Sequence, residues 1–115
     1  MDFQLNEEQQ LLQDSVRRFV ERAYGFEARS ALVKAGQGGS AQNWQTFADN
    51  GWLAAGLPEG YGGLGGSPVE TAIIAHEFGR GLVVEPWLGC AVLAAQTLVV
   101  GGSAAQKDRW LPMLG

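Results

Sequence analysis

Three stretches of this sequence carry the same helix-starting chemistry, and they leave little room for anything but helices. Asn6-Glu7-Glu8-Gln9, Ser67-Pro68-Val69-Glu70 and Ser103-Ala104-Ala105-Gln106 each set a short oxygen-bearing side chain three positions before a Glu or Gln. The first side chain accepts an orphan N–H of the opening turn, and the second reaches back to the N–H at the entrance. Pro68 falls at the first helical position, where a missing N–H costs nothing. Behind the first box, Leu12, Val16, Phe19, Val20 and Ala23 recur at helical spacing and predict a helix over 6–24.

The other elements follow from punctuation. Phe26 to Lys34 reads as a short second helix, closed by the break Gly36-Gln37-Gly38-Gly39. Ser40 opens a third, carrying Trp44, Phe47 and Ala48 inward and stopped by Asn50-Gly51. Helix four runs from Ser67 to about Gly81, helix five from Pro86 to Gly101-Gly102, and helix six from Ser103 onward. Only 82–84 competes as a strand. The expected class is all-α, a bundle of about five to six helices, and 115 residues make one domain. The apolar run Trp110 to Gly115 has no polar linker after it, so the chain is expected to continue.

Between helices three and four lies PEGYGGLGGSPVE, with a literal G-x-G-x-x-G at Gly60, Gly62 and Gly65. A dinucleotide loop must leave a strand and feed its third glycine into a helix N-terminus. Here Gly65 stands two residues before the cap, Glu70 already occupies the anion-attracting end, and Trp52 to Leu57 is a poor strand. The motif therefore reads as a joint. Its setting, 51–66, holds seven glycines in sixteen residues, long enough to expect a packed loop of its own.

Charge and cysteine content remove several function classes. A net charge of −4 without a basic cluster argues against nucleic acid and anionic membranes as partners. One cysteine, Cys90, allows neither an internal disulfide nor a cysteine-based zinc site and fits a reducing compartment. MDFQLNEEQQ has no leader character, which makes the cytoplasm the default. The 21-residue uncharged run Pro86–Gln106 is interrupted by Gln96, Thr97, Gly101, Gly102 and Ser103, so no membrane span of ~17 apolar residues is expected.

No nucleophile–base pair, metal cluster or carboxylate dyad assembles from the pattern, so no catalytic or metal-binding residue is assigned. His76 reads first as a half-buried helix histidine with a bonded partner, and only second as a perturbed base. Cys90 reads as a small buried hydrophobe, Arg80 as a helix-dipole partner, Glu85 as an N-cap, and Trp44, Trp52, Trp87 and Trp110 as core anchors. Helix five differs from the rest. An uncharged helix carrying Gly89, Ala91, Ala94 and Ala95 among Leu88, Val92, Leu93, Leu98 and Val99 is either central to the domain or turns a face toward apolar material from elsewhere. Composition does not separate a partner helix from a fatty ligand.

The whole arrangement resembles the N-terminal helical domain of the acyl-CoA dehydrogenase family. LNEEQQLLQDSVRRFV, WQTFADNGWLAAGLPEGYGGLGGSPVE, HEFGR and GGSAAQKDRWLPMLG carry the likeness, in order, over essentially the whole chain. YGFEARSAL and VVEPWLGCAVL look more narrowly like the small subunit of pimeloyl-CoA dehydrogenases, which act on dicarboxylyl-CoA. The resemblance implies an oligomeric FAD enzyme that dehydrogenates an acyl-CoA and passes electrons to an electron-transferring flavoprotein. It also implies a middle β domain holding the flavin and a C-terminal helical domain holding the base, both beyond residue 115. The 115 residues alone are then expected to bind no flavin and to be inactive. Aligned with the family, Glu85, Gly89 and Leu93 fall at acyl-pocket positions. Gly89, where many relatives carry a larger polar residue, would deepen that pocket or else admit a neighbouring helix. A rival expectation is a non-catalytic helical subunit of a heteromeric enzyme.

Overall fold

The computed structural model describes residues 4–36 and 38–115. Gln37, within the glycine break expected before helix three, and Met1–Phe3 lie outside the described residues. Among the described residues six α-helices follow one another: α1 (Glu7–Ala23), α2 (Phe26–Ala35), α3 (Ala41–Asp49), α4 (Pro68–Gly81), α5 (Ala95–Gly101) and α6 (Ala104–Leu114). A 3₁₀ turn (Glu59–Tyr61) interrupts the loop before α4, and a π-helical segment (Leu88–Ala94) runs directly into α5. No strand occurs among the described residues, including 82–84.

All three capping boxes form. The Asn6 side chain accepts the Gln9 N–H at 2.8 Å while Gln9 accepts the Asn6 N–H at 3.0 Å. Ser67 and Glu70 close the second box, and Ser103 and Gln106 the third. Glu70 is held below the usual carboxylate range, first by the Ser67 side chain, against the opposing cost of its own burial. The anion-attracting N-terminus of α4, which the motif reading denied to phosphate, is thus occupied by the protein's own carboxylate.

The core is aromatic. Phe47 is fully buried, with its ring 4.8 Å from Phe78 and 5.5 Å from Phe19 between centroids, and Trp52 and Trp44 complete its surroundings at 6.0 Å each. Trp87 joins through Phe78 at 5.5 Å, and its indole N–H donates to the Trp52 carbonyl at 2.9 Å. That bond satisfies the one polar atom a buried tryptophan carries. Trp44, half-buried, packs against this cluster, whereas Trp110 is 42% exposed and anchors no core. A smaller cluster of Ala54, Leu57, Ala95 and Leu111 joins the glycine-rich loop to α5 and α6.

Helices α1 and α4 form the closest pair. A Cβ on Gly81 would lie 2.3 Å from Val20 Cγ1, so glycine sets the approach. Between them the carboxylate of Glu77, 1% exposed, accepts from Arg17 at 3.0 and 3.3 Å and from Arg80 at 3.3 Å. Arg17 holds the Glu77 carboxyl below its ordinary range and is itself raised by the same bond. A depressed folded value means stability that is complete above the unfolded value of about 4.3 and is lost as pH falls through the folded one. Glu77→Gln should therefore lower the melting temperature by a constant gap above about pH 5. That gap should close in acid, and melts of both proteins from pH 2 to 7 measure it. A gap that widens in acid would assign the titration to another group.

Helices four and five do not pack along their lengths, as an antiparallel neighbour pair would. Phe78 of α4 touches Trp87 at the start of the 87–101 stretch, and two clefts open between α4 and that stretch. The physical reason is on α4, whose face toward the clefts is small: Thr71, Ala75 and Gly79 leave no ridge to fill them.

Candidate functional site

The stretch from Pro86 to Gly101 carries no charged residue. In the π-helical segment the Ala95 N–H reaches back five residues to the Cys90 carbonyl. Such winding is uncommon and concentrates at functional sites. One side of this stretch is spent on the protein's own core: Trp87, Ala91 and Ala95 are 4%, 7% and 0% exposed. The other side is open, with Leu88, Gly89, Leu93, Ala94, Thr97 and Val100 all exposed and none charged. Leu93 and Val100 stand 60% and 85% in solvent, values that burial against this domain would not leave.

Gly89 and Leu93 share that open side. A Cβ built on Gly89 meets nothing within 4 Å, so within this chain the glycine admits no neighbouring helix. Glu85 does not join them. It is 5% exposed, and its Oε2 accepts the Ser40 N–H at 2.8 Å at the entrance of α3. The N-cap expectation for Glu85 fails for the same reason: the carboxylate serves the N-terminus of a different helix, 45 residues away in sequence. Gly39 makes room for it, since a Cβ there would lie 2.7 Å from Glu85 Cγ and Oε2. Glu85 Oε1 is buried with no hydrogen-bond partner among the described residues.

Two clefts flank the segment on its α4 side. One, of about 250 Å³, is lined by Gly56, Thr71, Ala91, Val92 and Gln96 among others. The other, of about 300 Å³, lies between Ala75, Gly79 and Leu82 on one side and Glu85, Trp87 and Leu88 on the other. The Gln96 side-chain N–H donates to the Gly56 carbonyl at 3.1 Å, tying the segment to the glycine-rich loop. Nothing in the sequence pattern marks Gln96 for this, because its partner is a backbone atom brought near only by folding.

Other candidates resolve plainly. His76 is exposed rather than half-buried and has no hydrogen bond among those of the described residues, since α4 turns its opposite side, Ile73, Ile74 and Glu77, to α1. Arg80 ends α4 as expected and adds the ion pair to Glu77. Cys90 is half-buried, its thiol raised by that burial and 3.9 Å from the Leu114 carbonyl, an environment that suppresses the reactive thiolate. Among the described residues no group of three His, Cys, Asp or Glu side chains is placed to hold a metal ion. Among the described residues no helix is long and apolar enough to cross a membrane.

The glycine-rich loop fails as a phosphate cradle on its donors. The N–H groups of Gly63, Leu64, Gly65 and Gly66 donate to the carbonyls of Pro58, Ala54, Leu57 and Ala55, at 2.8–3.1 Å. A pyrophosphate would have to displace these bonds, so the loop does not fit the phosphates of FAD.

Comparison with known proteins gives a consistent picture. The model of the acyl-CoA dehydrogenase N-terminal domain matches residues 6–115. The chain is 30% identical to a (2S)-methylsuccinyl-CoA dehydrogenase of Cereibacter sphaeroides over 96% of its own length and 20% of the relative's. It is likewise 30% identical to an acryloyl-CoA reductase (NADH) of Anaerotignum propionicum, over 99% and 29% of the two lengths. Among solved structures, the ChsE4–ChsE5 complex from Mycobacterium tuberculosis superposes with a TM-score of 0.89 at 30% identity, covering 99% of this chain and 31% of that one. The chain thus spans from a fifth to under a third of the lengths of these proteins.

Proposed function

The chain belongs to the acyl-CoA dehydrogenase family, as its N-terminal helical domain, and from that premise we propose that it forms one wall of the acyl-chain pocket of an FAD-dependent enzyme. That enzyme removes hydrogen from the α and β carbons of an acyl-CoA. The observation that carries the reading is the open side of the segment from Leu88 to Gly101. It is uncharged, exposed and apolar except for Thr97, and recessed at Gly89, where a Cβ meets nothing within 4 Å. Such a surface contributes exclusion of water and contact area along a hydrocarbon chain, at roughly 25 cal/mol per Å² of apolar surface covered. It carries no titratable group but Cys90 at its edge, and the family likeness assigns the base and the flavin contacts to a middle β domain and a C-terminal helical domain outside these residues.

FAD would supply the hydride acceptor there, and an electron-transferring flavoprotein the onward acceptor. Glu85, buried beside the start of the segment, stays on the proposed pocket list with Gly89 and Leu93, though it borders the cleft toward α4 rather than the open side. A two-subunit assembly is favoured over a homo-oligomer, because the solved structure that superposes at TM-score 0.89 is a complex of two named proteins. The narrower likeness to the small subunit of pimeloyl-CoA dehydrogenases points the same way. In such an assembly the chain either keeps a working site or serves as a non-catalytic helical subunit. A cytoplasmic location accords with this reading.

In the full-length protein Gly89→Phe should shorten the longest acyl chain accepted and leave flavin content unchanged. Substrate-length profiles of both proteins, with flavin absorbance per chain, measure this. An unchanged profile with normal folding would assign Gly89 to a contact with another domain instead.

A further inference from the structure

Helices α1 and α4 lie side by side and run in the same direction. Gln9 donates to Glu70 near both N-termini at 3.1 Å, Arg17 donates to Glu77 at 3.0 Å, and Gly81 faces Val20 near both C-termini. Their macrodipoles point the same way, and charge is sorted along them. At the C-terminal end α2 joins the pair, because Arg29 donates to the Leu82 carbonyl at 2.9 Å. Arg17, Arg18, Arg22, Arg29, Lys34 and Arg80 gather there, six of the eight Lys and Arg side chains of a chain whose net charge is −4. Against them stand Glu21, Glu27, the buried Glu77 and, near the midpoint of α1, Asp14, so this end is net positive. The cations are scattered in sequence and only folding brings them together.

Compensation of two helix C-termini accounts for Arg22 and Arg80, each in a last turn. It does not account for α2. None of the ten residues of α2 is buried, and the helix holds to the domain through Arg29 and the partly buried Leu32. Phe26 and Val33, seven residues apart, share its outward side at 85% and 54% exposure. Arg29 and Lys34 flank Phe26 at about 60° to one side and about 80° to the other, with Glu27 beside Lys34.

We propose that α2 is a docking surface for a partner protein, which lays on it an acidic helix with an apolar stripe. Phe26 and Val33 at i, i+7 spacing take the stripe, and the surrounding cations take its carboxylates. An anionic bilayer fits the same patch less well, since the chain as a whole repels it at −4. A second copy would have to present its own acidic end, with Glu7, Glu8 and Glu70, in a head-to-tail contact that propagates unless it closes into a ring. The proposal uses no residue of 86–101 and does not depend on the acyl-wall reading.

The test uses the full-length protein and a fluorescein-labelled synthetic helix of about 18 residues, or five turns. The peptide carries leucines at i, i+3, i+4 and i+7 spacing and glutamate and alanine elsewhere. Anisotropy titrations should show binding that weakens as salt is raised. Phe26→Ser and Lys34→Glu should each weaken it by at least about tenfold with melting temperature unchanged, since neither side chain is buried. Polyglutamate of the same length, equally charged but without the stripe, should bind at least about tenfold more weakly than the peptide. Equal binding of polyglutamate, or a peptide affinity unmoved by Phe26→Ser, would overturn the inference. Binding to phosphatidylserine-containing vesicles, or self-association, that both variants abolish while the peptide fails to bind would assign α2 to a membrane or to a second copy and overturn it. Absence of any binding would overturn it too, as when another domain of the same protein covers α2.

Discussion

Phe47→Ala is expected to lower the melting temperature of the domain by about 12–20 °C, at about 4 °C per kcal/mol for this size. Phe47 has no exposed surface and touches four other rings: Phe19, Trp44, Trp52 and Phe78. Removing a buried phenyl costs about 3–5 kcal/mol in lost transfer energy and cavity formation. The lost ring pairs, each worth about 0.5–1.5 kcal/mol beyond area, push toward the upper end. Against a total stability of about 5–15 kcal/mol this is a large share. The cavity has little means of collapsing, because its rings come from α1, α3 and α4, each capped by a side chain, and from Trp52, whose backbone bonds to Phe47 and to the Trp87 indole. Thermal melts followed by circular dichroism give the shift directly. A loss under about 5 °C would mean that the core is organised around some other residue.

Gly63→Ala is the second large effect, and it has a different cause. A Cβ at position 63 would lie 2.1 Å from the Leu57 carbonyl oxygen and 2.4 Å from the Leu57 carbon behind it. These are backbone atoms, and that oxygen already accepts the Gly65 N–H at 2.9 Å. Relief requires breaking the hydrogen-bonded lattice of the loop, so the cost should reach the upper part of the roughly 1–3 kcal/mol usual for overpacking, or exceed it. The contrasting change is Gly89→Ala. It meets open space at a φ outside the left-handed region and should stabilise the isolated domain by roughly 0.5–1 kcal/mol. Urea denaturation midpoints of the two variants measure both effects. Equal shifts in the same direction would show that glycine acts in this chain through flexibility and not through close approach. Gly63→Ala should also disturb the site, because the loop it distorts includes the Gly56 carbonyl that anchors Gln96.

Most helix entrances were legible because their signals are local. Asn6–Gln9, Ser67–Glu70 and Ser103–Gln106 are bonds between residues three apart, and Ser40 caps α3 in the same way. The inward assignments of Phe47 and Phe19 were equally local, since a 3.6-residue period decides them. His76 and Trp110 were misjudged because burial depends on where a helix is laid down. α4 meets α1 along Ile73, Ile74 and Glu77, leaving His76 in solvent, and α6 buries Leu111 while Trp110 stays partly exposed. Glu85 was misjudged because a carboxylate just before a helix has two helix N-termini within reach once the chain is folded, and only one was visible in sequence.

The sequence by itself determined the class, the order and ends of most helices, the refusal of the glycine motif as a phosphate loop, and the apolar character of residues 86–101. All of these rest on contacts within a few residues or on side-chain type. Tertiary structure alone decided which side of that stretch faces outward, that Gly89 opens on empty space, that Glu85 turns to Ser40, and that the helix is π-wound from Leu88 to Ala94. These depend on atoms far apart in the chain. The burial of Trp87 under Phe78 and of Ala91 and Ala95 against the loop imposes a four-residue step that no local propensity encodes.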